Sequence, residues 1–163
     1  MNSYNNYGNR SNYNNSRHTK SSSEVSYTPE ISSNTTLDFE NITIDLFSTT
    51  PKEYAKICAT KQVIGGKPAK DANKGTQLRR FYDELVMWTE RSETDEKFKE
   101  NLPFIYMMKS KVSYAFGRKH IDENYRNMMN TVINGIKEDN PKTLKNAKLF
   151  LEAFTGFFKE LKD

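Results

Sequence analysis

Apolar residues in the C-terminal part of the chain recur at steps of three and four positions, and this spacing limits the possible folds more than any other feature. Such steps place side chains on one face of an α-helix. The first set is Ile121, Tyr125, Met128, Met129, Val132, Ile133 and Ile136, and the second is Leu144, Ala147, Leu151, Phe154, Phe158 and Leu161. Because an amphipathic helix must bury its apolar face against another element, the pattern predicts an all-α fold.

Three more helices are predicted upstream of these two. Thr50 and Pro51 form a helix-start signature, with a capping hydroxyl before a proline in the first turn. A second helix is expected over residues 76–91, and an acidic stretch over residues 90–100 separates it from a third that begins near Pro103. The sequence therefore predicts a compact bundle of about five helices.

The first 49 residues differ in composition from the rest. Residues 1–36 are dominated by Asn, Ser, Tyr and Thr, and such a segment buries too little apolar surface to offset the entropy of ordering it. In residues 37–47, apolar and polar positions alternate, which indicates an extended docking segment. We therefore predict a low-complexity, disordered extension over residues 1–49, with a possible docking segment, and a helical domain over residues 50–163.

Charge is distributed unevenly along the chain. Residues 1–50 hold three basic and five acidic side chains, which leaves 22 basic and 16 acidic side chains in the remainder. A basic domain attracts nucleic acid or an anionic membrane. No apolar run approaches the roughly 18 residues of a membrane span, and no signal peptide is recognisable, so no membrane partner is expected. The single cysteine, Cys58, is expected to be buried and fits a reducing, cytoplasmic compartment.

The third predicted helix carries cations opposite its apolar face. At about 100° per residue, Lys111, Tyr114 and Arg118 cluster on the side away from Ile105, Met108 and Val112. Between residues 105 and 120 there are four cations and no acid, namely Lys109, Lys111, Arg118 and Lys119. An ordinary solvated face mixes both signs, so the imbalance favours a polyanion as the partner, although a solvated face with a snorkelling tyrosine remains the alternative.

The second predicted helix begins with two adjacent arginines. Arg79 and Arg80 lie in the first turn, where the helix dipole disfavours cations. Ion pairs of Arg79 with Asp83 and of Arg80 with Glu84 would contribute only about 0.3–0.5 kcal/mol each, so helix stability does not account well for them. A helix N-terminus with added cations is an anion site. Three preceding lysines, Lys67, Lys70 and Lys74, extend the same positive field.

No arrangement of residues indicates catalysis, a metal or a cofactor. The two histidines, His18 and His120, are far apart, and no His, Cys or carboxylate cluster has metal-ligand spacing. We therefore expect a protein that is not an enzyme. The alternative, a metal-free ribonuclease that uses His120 with Lys119 or Tyr114, lacks a second acid/base partner.

Three blocks of the sequence resemble one family, the small subunit of type III-A CRISPR effector complexes (the Csm-type small subunit). Residues 76–82 (TQLRRFY) resemble its opening Gln-aliphatic-Arg helix, and residues 108–118 resemble its Lys-x-Lys-x-x-Tyr-Ala-x-Gly-Arg block. Residues 148–154 resemble its C-terminal Phe-x-Glu-Ala helix. The resemblance covers roughly residues 51–163, and Ser110 stands where the family often has proline.

The resemblance implies a helical, non-catalytic subunit of an antiviral ribonucleoprotein. Copies would stack head to tail and line the channel in which target RNA pairs with guide RNA, beside the other subunits of the complex. It assigns RNA contact or copy-to-copy contact to Gln77, Arg79, Lys109, Lys111, Tyr114 and Arg118. Charge alone adds Lys67, Lys70, Lys74, Arg80 and Lys119 as RNA-binding candidates. Since base pairing supplies sequence specificity in such complexes, the protein would contact backbone and shape only.

The last predicted helix has an unusually wide apolar stripe. Phe150 and Phe157 widen the face that already holds Phe154 and Phe158, and the stripe exceeds what one neighbouring helix covers. It indicates central burial or a subunit interface, and these four phenylalanines are the interface candidates. If the stripe is an oligomer interface and the charge serves only solubility, the chain is a protein-interaction adaptor without a direct RNA role.

Overall fold

The computed structural model describes residues 30–60, the backbone of residues 63–64 and 67–68, and residues 71–162. Its elements are α1 (Ile44–Phe47), α2 (Thr49–Ala59), β1 (Val63–Ile64), β2 (Lys67–Pro68), α3 (Gly75–Arg91), α4 (Asp95–Gly117), α5 (Glu123–Asn134) and α6 (Lys142–Lys162). Five helices of this described part have eleven or more residues, which confirms the all-α bundle. The two strands pair antiparallel, with Val63 opposite Pro68 and Ile64 opposite Lys67.

Helix α6 occupies the centre of the bundle. It packs against α2 on one side and α3 on the other, while α3 packs on α4 and α4 packs on α5. The predicted apolar faces of α5 and α6 are buried in a single core, with the exception of Leu161 near the end of α6. The width of the α6 stripe follows from this position, because the helix has neighbours on two sides.

This packing corrects part of the expected subunit interface. Phe150, Phe154 and Phe158 are at most 3% exposed and contact core residues of the same chain, so they present almost no surface to a second subunit. Phe157 is half-buried, and the ammonium of Lys52 lies 5.8 Å from the centre of its ring. An interface at Phe157 therefore stays a prediction.

Two predicted helix starts were displaced. Helix α4 begins at Asp95, eight residues before Pro103, and the Thr94 hydroxyl caps it by accepting a hydrogen bond from the Lys97 amide. Asp95 and Glu96, from the acidic stretch expected to separate the two helices, lie in the first turn of α4, where the helix dipole favours negative charge. Helix α2 begins at Thr49, so the residue before its first turn is Ser48 rather than Thr50.

Residues 31–39 form an irregular segment, which we name the strap, across the surface of α5 and α6. Ile31 and Phe39 are buried in the core, and Gly135 leaves the space for the Phe39 ring, since a Cβ there would lie 2.6 Å from it. Asn124 accepts a hydrogen bond from the Ile31 amide at 2.8 Å, and Asn127 donates one to the Ile31 carbonyl at 2.8 Å.

The strap changes the domain boundary expected at residue 50. Ile31, Leu37, Phe39 and Leu46 belong to the same core as the helices, so the packed unit starts before residue 50. The docking segment expected at residues 37–47 docks on the chain's own helices. It is not a strand, because residues 37–43 are irregular and α1 follows, with Ile42 and Ile44 exposed. The expected disorder of residues 1–29 lies outside the described residues.

Candidate nucleic-acid interface

An open groove lies between α3 and α4, with a volume of about 440 Å³. We name it the α3–α4 groove. Its lining comprises Gln77, Arg80, Phe81 and Glu84 from α3, Ser110, Lys111, Tyr114 and Ala115 from α4, and His120 after α4. The groove thus joins the first two sequence blocks, which are 25 or more positions apart in the chain.

Helical spacing explains which side chains reach the groove. On α3, residues 77, 80, 81 and 84 occupy positions i, i+3, i+4 and i+7, and on α4 residues 110 and 114 and residues 111 and 115 are each four positions apart. The apolar members, Phe81 and Ala115, are buried at the floor, whereas the polar members stand at the rim.

Charge in the groove is partly paired. The Lys111 ammonium lies 2.5 Å from a Glu84 carboxylate oxygen, which also lies 3.5 Å from the indole nitrogen of Trp88. The alternative explanation for Arg80, an ion pair with Glu84, does not hold, because Arg80 forms no ion pair with any residue in the described part of the chain. The groove therefore keeps one cation beyond those that its own carboxylate balances.

An exposed aromatic ring stands beside these cations. The Tyr114 residue is 65% exposed, and its hydroxyl lies 3.2 Å from a guanidinium nitrogen of Arg118. The Arg118 guanidinium carbon lies 5.8 Å from the centre of the same ring. An exposed ring with an adjacent guanidinium can stack a base or a ribose while the cation meets a phosphate.

A buried asparagine joins the two walls of the groove at one of its ends. The backbone N–H of Asn73 donates a hydrogen bond to the His120 carbonyl at 3.0 Å. The side-chain oxygen of Asn73 accepts one from the backbone N–H of Asp122 at 2.9 Å. Its side-chain nitrogen donates to the Cys58 carbonyl at 3.0 Å. With φ at 59°, Asn73 adopts the left-handed conformation that asparagine tolerates better than most residues. These bonds fix the start of α3 against the loop that follows α4.

Arg79 lines a different opening from its neighbour Arg80. Together with Lys74 it lines a second opening of about 510 Å³ between the start of α3 and the end of α6. We name this the α3–α6 cleft. The Arg79 guanidinium forms the expected ion pair with Asp83 at 2.7 Å and lies 5.0 Å from the centre of the Tyr82 ring.

The remaining predicted residues lie elsewhere. Lys109 bonds to the side-chain oxygen of Asn134 and lies 5.0 Å from the Tyr106 ring, so it points toward α5 and away from the groove. Lys119 is exposed in the loop after α4, with φ at 60°. The backbone of Lys67 is in β2, while its side chain and all of Lys70 lie outside the described residues.

Some lining residues were missed from the sequence. Glu84 and His120 complete the α3–α4 groove, and Lys159 and Lys162 complete the α3–α6 cleft. The two lysines lie in the last turn of α6, where the helix dipole stabilises positive charge. This effect within the helix is enough to explain why they are there. Their closeness to α3 depends on packing between helices and leaves no signal in the sequence.

The described residues contain no group of three or more His, Cys, Asp or Glu side chains that could hold a metal ion. His120 lines the groove, and Glu84 is the one carboxylate among the lining residues. Burial raises the pKa of the Cys58 thiol well above its ordinary value, as expected for a packed, unreactive cysteine. Within the described residues, no helix has the length and apolarity to cross a membrane.

Comparison with known proteins supports the family that the three sequence blocks resemble. No curated protein and no solved structure is matched by the chain. A family model described as Csm2 Type III-A matches residues 51–163, which is more than half of the chain and includes both openings described above. The chain belongs to the Csm2 type III-A family and is a small subunit of type III-A CRISPR complexes.

Proposed function

We propose that this small subunit binds the backbone of guide or target RNA through the α3–α4 groove, without sequence preference and without catalysis, in antiviral defence. Family membership implies association with the other subunits of the effector complex. The observation that carries the RNA proposal is the meeting of Gln77 and Arg80 with Lys111 and Tyr114 in one groove. Two family blocks that are distant in sequence thereby form one polar surface.

The chemistry of this surface suits a nucleic-acid backbone. Arg80 and Lys111 can contact phosphate oxygens, and Gln77 can bond to a phosphate or a ribose hydroxyl. Tyr114 offers a stacking face that tolerates any base. When a phosphate replaces Glu84 beside Lys111, the carboxylate retains the indole of Trp88 as a partner, so the exchange does not leave it isolated.

The test replaces the groove cations in the full chain. We expect Arg80→Ala with Lys111→Ala to weaken binding of single-stranded RNA and to lower the slope of log affinity against log salt by about 1.4, since each phosphate contact contributes about 0.7. The matched control, Lys97→Ala with Lys145→Ala, removes the same charge at exposed positions that line neither opening. An equal loss of RNA affinity in both double variants would mean that binding responds only to net charge, and this result would refute the groove as the binding surface.

The alternative function is a protein-interaction adaptor, and one surface favours it. The rings of Trp88 and Phe104 stack with centres 5.8 Å apart and planes within 8°, and Phe104 and Met107 are about half exposed. An apolar patch of this kind is typical of a protein contact. We propose that it contributes to head-to-tail stacking of copies, together with Phe157.

The two functions separate inside the reconstituted effector complex. If the Arg80 and Lys111 variant assembles normally but holds less target RNA, the groove binds RNA directly. If RNA occupancy is unchanged while assembly is intact, the adaptor function is the better description. Copy number is measured by native mass spectrometry and RNA content by quantifying extracted RNA.

A further inference from the structure

The turn between the strap and α1 projects apolar side chains into solvent. We name residues 40–45 the α1 knob. Ile42 is 57% exposed and Ile44 is 87% exposed, which makes Ile44 the most exposed large apolar side chain in the described part of the chain. Single exposed apolar residues are ordinary, but two on one short turn form a small patch, and neither of them contributes to the core. The fold of the single chain therefore does not explain them.

Hydrogen bonds hold the knob in one conformation. The Asp38 carboxylate accepts hydrogen bonds from the backbone N–H of Glu40 at 2.9 Å and of Asn41 at 3.1 Å, and from the Asn41 side chain at 2.9 Å. These bonds, the one from the Asn41 side chain foremost, lower the pKa of Asp38. At the other end the Thr43 hydroxyl caps α1, and the buried Leu46 anchors α1 in the core. The turn is thus organised before any partner binds, which lowers the entropy cost of a contact.

The border of the knob is acidic. No lysine or arginine occurs in the sequence between Lys20 and Lys52, although Lys137 after α5 is a cation near Asp38. Glu40 and Asp45 are exposed beside the two isoleucines, and neither forms an ion pair with any residue in the described part of the chain. A surface of this kind suits a partner that is apolar and positively charged.

A surface of matching character lies on α3 and α4. Trp88, Phe104 and Met107, which we name the aromatic patch, combine two stacked rings with two side chains that are about half exposed. The Arg91 guanidinium carbon lies 5.7 Å from the centre of the Trp88 ring. The charged residues on the same faces of the two helices are Arg91, Lys97 and Lys111, with Glu84 and Glu100. The border of the patch therefore has a net positive charge, opposite in sign to that of the knob.

The knob and the aromatic patch lie on different sides of the bundle. Helix α1 packs on α2 and α6, whereas α3 packs on the other side of α6 and α4 packs on α3. When the knob of one copy contacts the patch of a second, the knob of the second stays free to contact a third. Heterologous contacts of this kind build open stacks if the rotation does not close a ring.

We propose that the α1 knob of one copy docks on the aromatic patch of the next copy, with its two isoleucines against Phe104 and Met107 and its carboxylates toward Arg91. This inference rests on the proposed stacking of copies, for which it names the second surface. The family model begins at residue 51, so the knob lies outside the part of the chain that the model covers.

The test cross-links neighbouring copies inside the reconstituted effector complex with a short bis-maleimide. The native Cys58 is buried, so added surface cysteines are the ones that react. We expect Ile44→Cys with Met107→Cys in one chain to give cross-linked dimers and larger species about tenfold above the control, because docking raises the effective concentration of the two thiols. The matched control, Ile44→Cys with Ser113→Cys, moves the second cysteine to an exposed position about 180° around α4 from Phe104.

Copy number, measured by native mass spectrometry, separates this inference from the proposed stacking surface. A series of dimers and larger species that the control lacks supports both. If the cysteine pair gives no more product than the control while Phe104→Ala lowers the copy number, the knob contact is overturned and the patch remains a stacking surface. If Phe104→Ala also leaves the copy number unchanged, both are overturned.

A charge exchange tests the pairing with Arg91. Glu40→Lys with Asp45→Lys, added to the cross-linking pair, should lower the yield about threefold at low salt, since like charges then face each other. Adding Arg91→Glu to the same chain should restore the yield. A yield that does not fall, or that does not recover with Arg91→Glu, would overturn the assignment of these carboxylates to Arg91.

Discussion

The strap face and the α3–α4 groove both present polar side chains from two helices, but they use those side chains differently. Under the strap, Asn124, Asn127 and Thr131 are buried and bond to strap backbone at 2.8–3.2 Å. In the groove, Arg80 and Tyr114 stand at an exposed rim. Buried polar groups need partners within the chain, so the first set serves the fold. The exposed set is available to a partner outside the chain.

The two regions also differ in their relation to the family. The family match begins at residue 51, after the strap, whereas the whole groove lies within the match. The strap therefore covers a face of α5 and α6 with residues that the family model does not include. The comparison predicts that strap changes affect stability and leave RNA binding intact, and that groove changes do the opposite.

The largest effect is expected from Phe39→Ala in the strap. Phe39 is 1% exposed and packs edge-on against Phe150 at 5.9 Å, so its removal leaves a cavity beside α6. We expect a loss of about 3–5 kcal/mol in the free energy of unfolding, measured by urea denaturation. The lone cysteine supplies a second readout, because Cys58 is buried and should react with a thiol reagent faster in this variant.

Exposed Ile42→Ala is the control for that variant, since Ile42 lies just after the strap and is 57% exposed. It should change stability by less than about 0.5 kcal/mol. A similar small change for Phe39→Ala would mean that the strap does not pack on the helices in solution.

An intermediate effect is expected from Asn124→Ala. The change leaves the Ile31 amide without its acceptor beneath a buried segment. We expect a cost of about 1–3 kcal/mol, because a buried donor loses its partner. Amide hydrogen exchange measures the result directly: the Ile31 amide should lose protection while the amides of α3 keep theirs. Loss of protection throughout α3 would show that the strap and groove are not independent.

The smallest effect on stability is expected from Lys111→Ala in the groove. Its ion pair with Glu84 joins a half-exposed ammonium to a carboxylate that keeps a second partner in Trp88. Such pairs contribute about 1 kcal/mol or less, so thermal unfolding should shift little while RNA affinity falls. A loss above about 2 kcal/mol would assign Lys111 to the fold and would weaken the comparison.

Sequence alone determined the helix faces and the sign of the surface. The three- and four-residue spacing of apolar positions predicted every buried hydrophobic residue from Ile121 to Ile136 because the helical period follows directly from the backbone. The same period placed Lys111, Tyr114 and Arg118 away from the core of α4. The excess of cations is a property of composition and required no fold.

Only the tertiary structure decided which cations share an opening. Arg79 and Arg80 are adjacent in sequence, yet they point about 100° apart on a helix, and the period does not say which neighbour each one meets. The packing of α4 on one side of α3 and α6 on the other sends Arg80 to the groove and Arg79 to the cleft. Periodicity marked only part of the strap: the alternation over residues 37–47 included Leu37 and Phe39, but it gave no sign of Ile31 or of the helices, about a hundred positions away, that hold the segment.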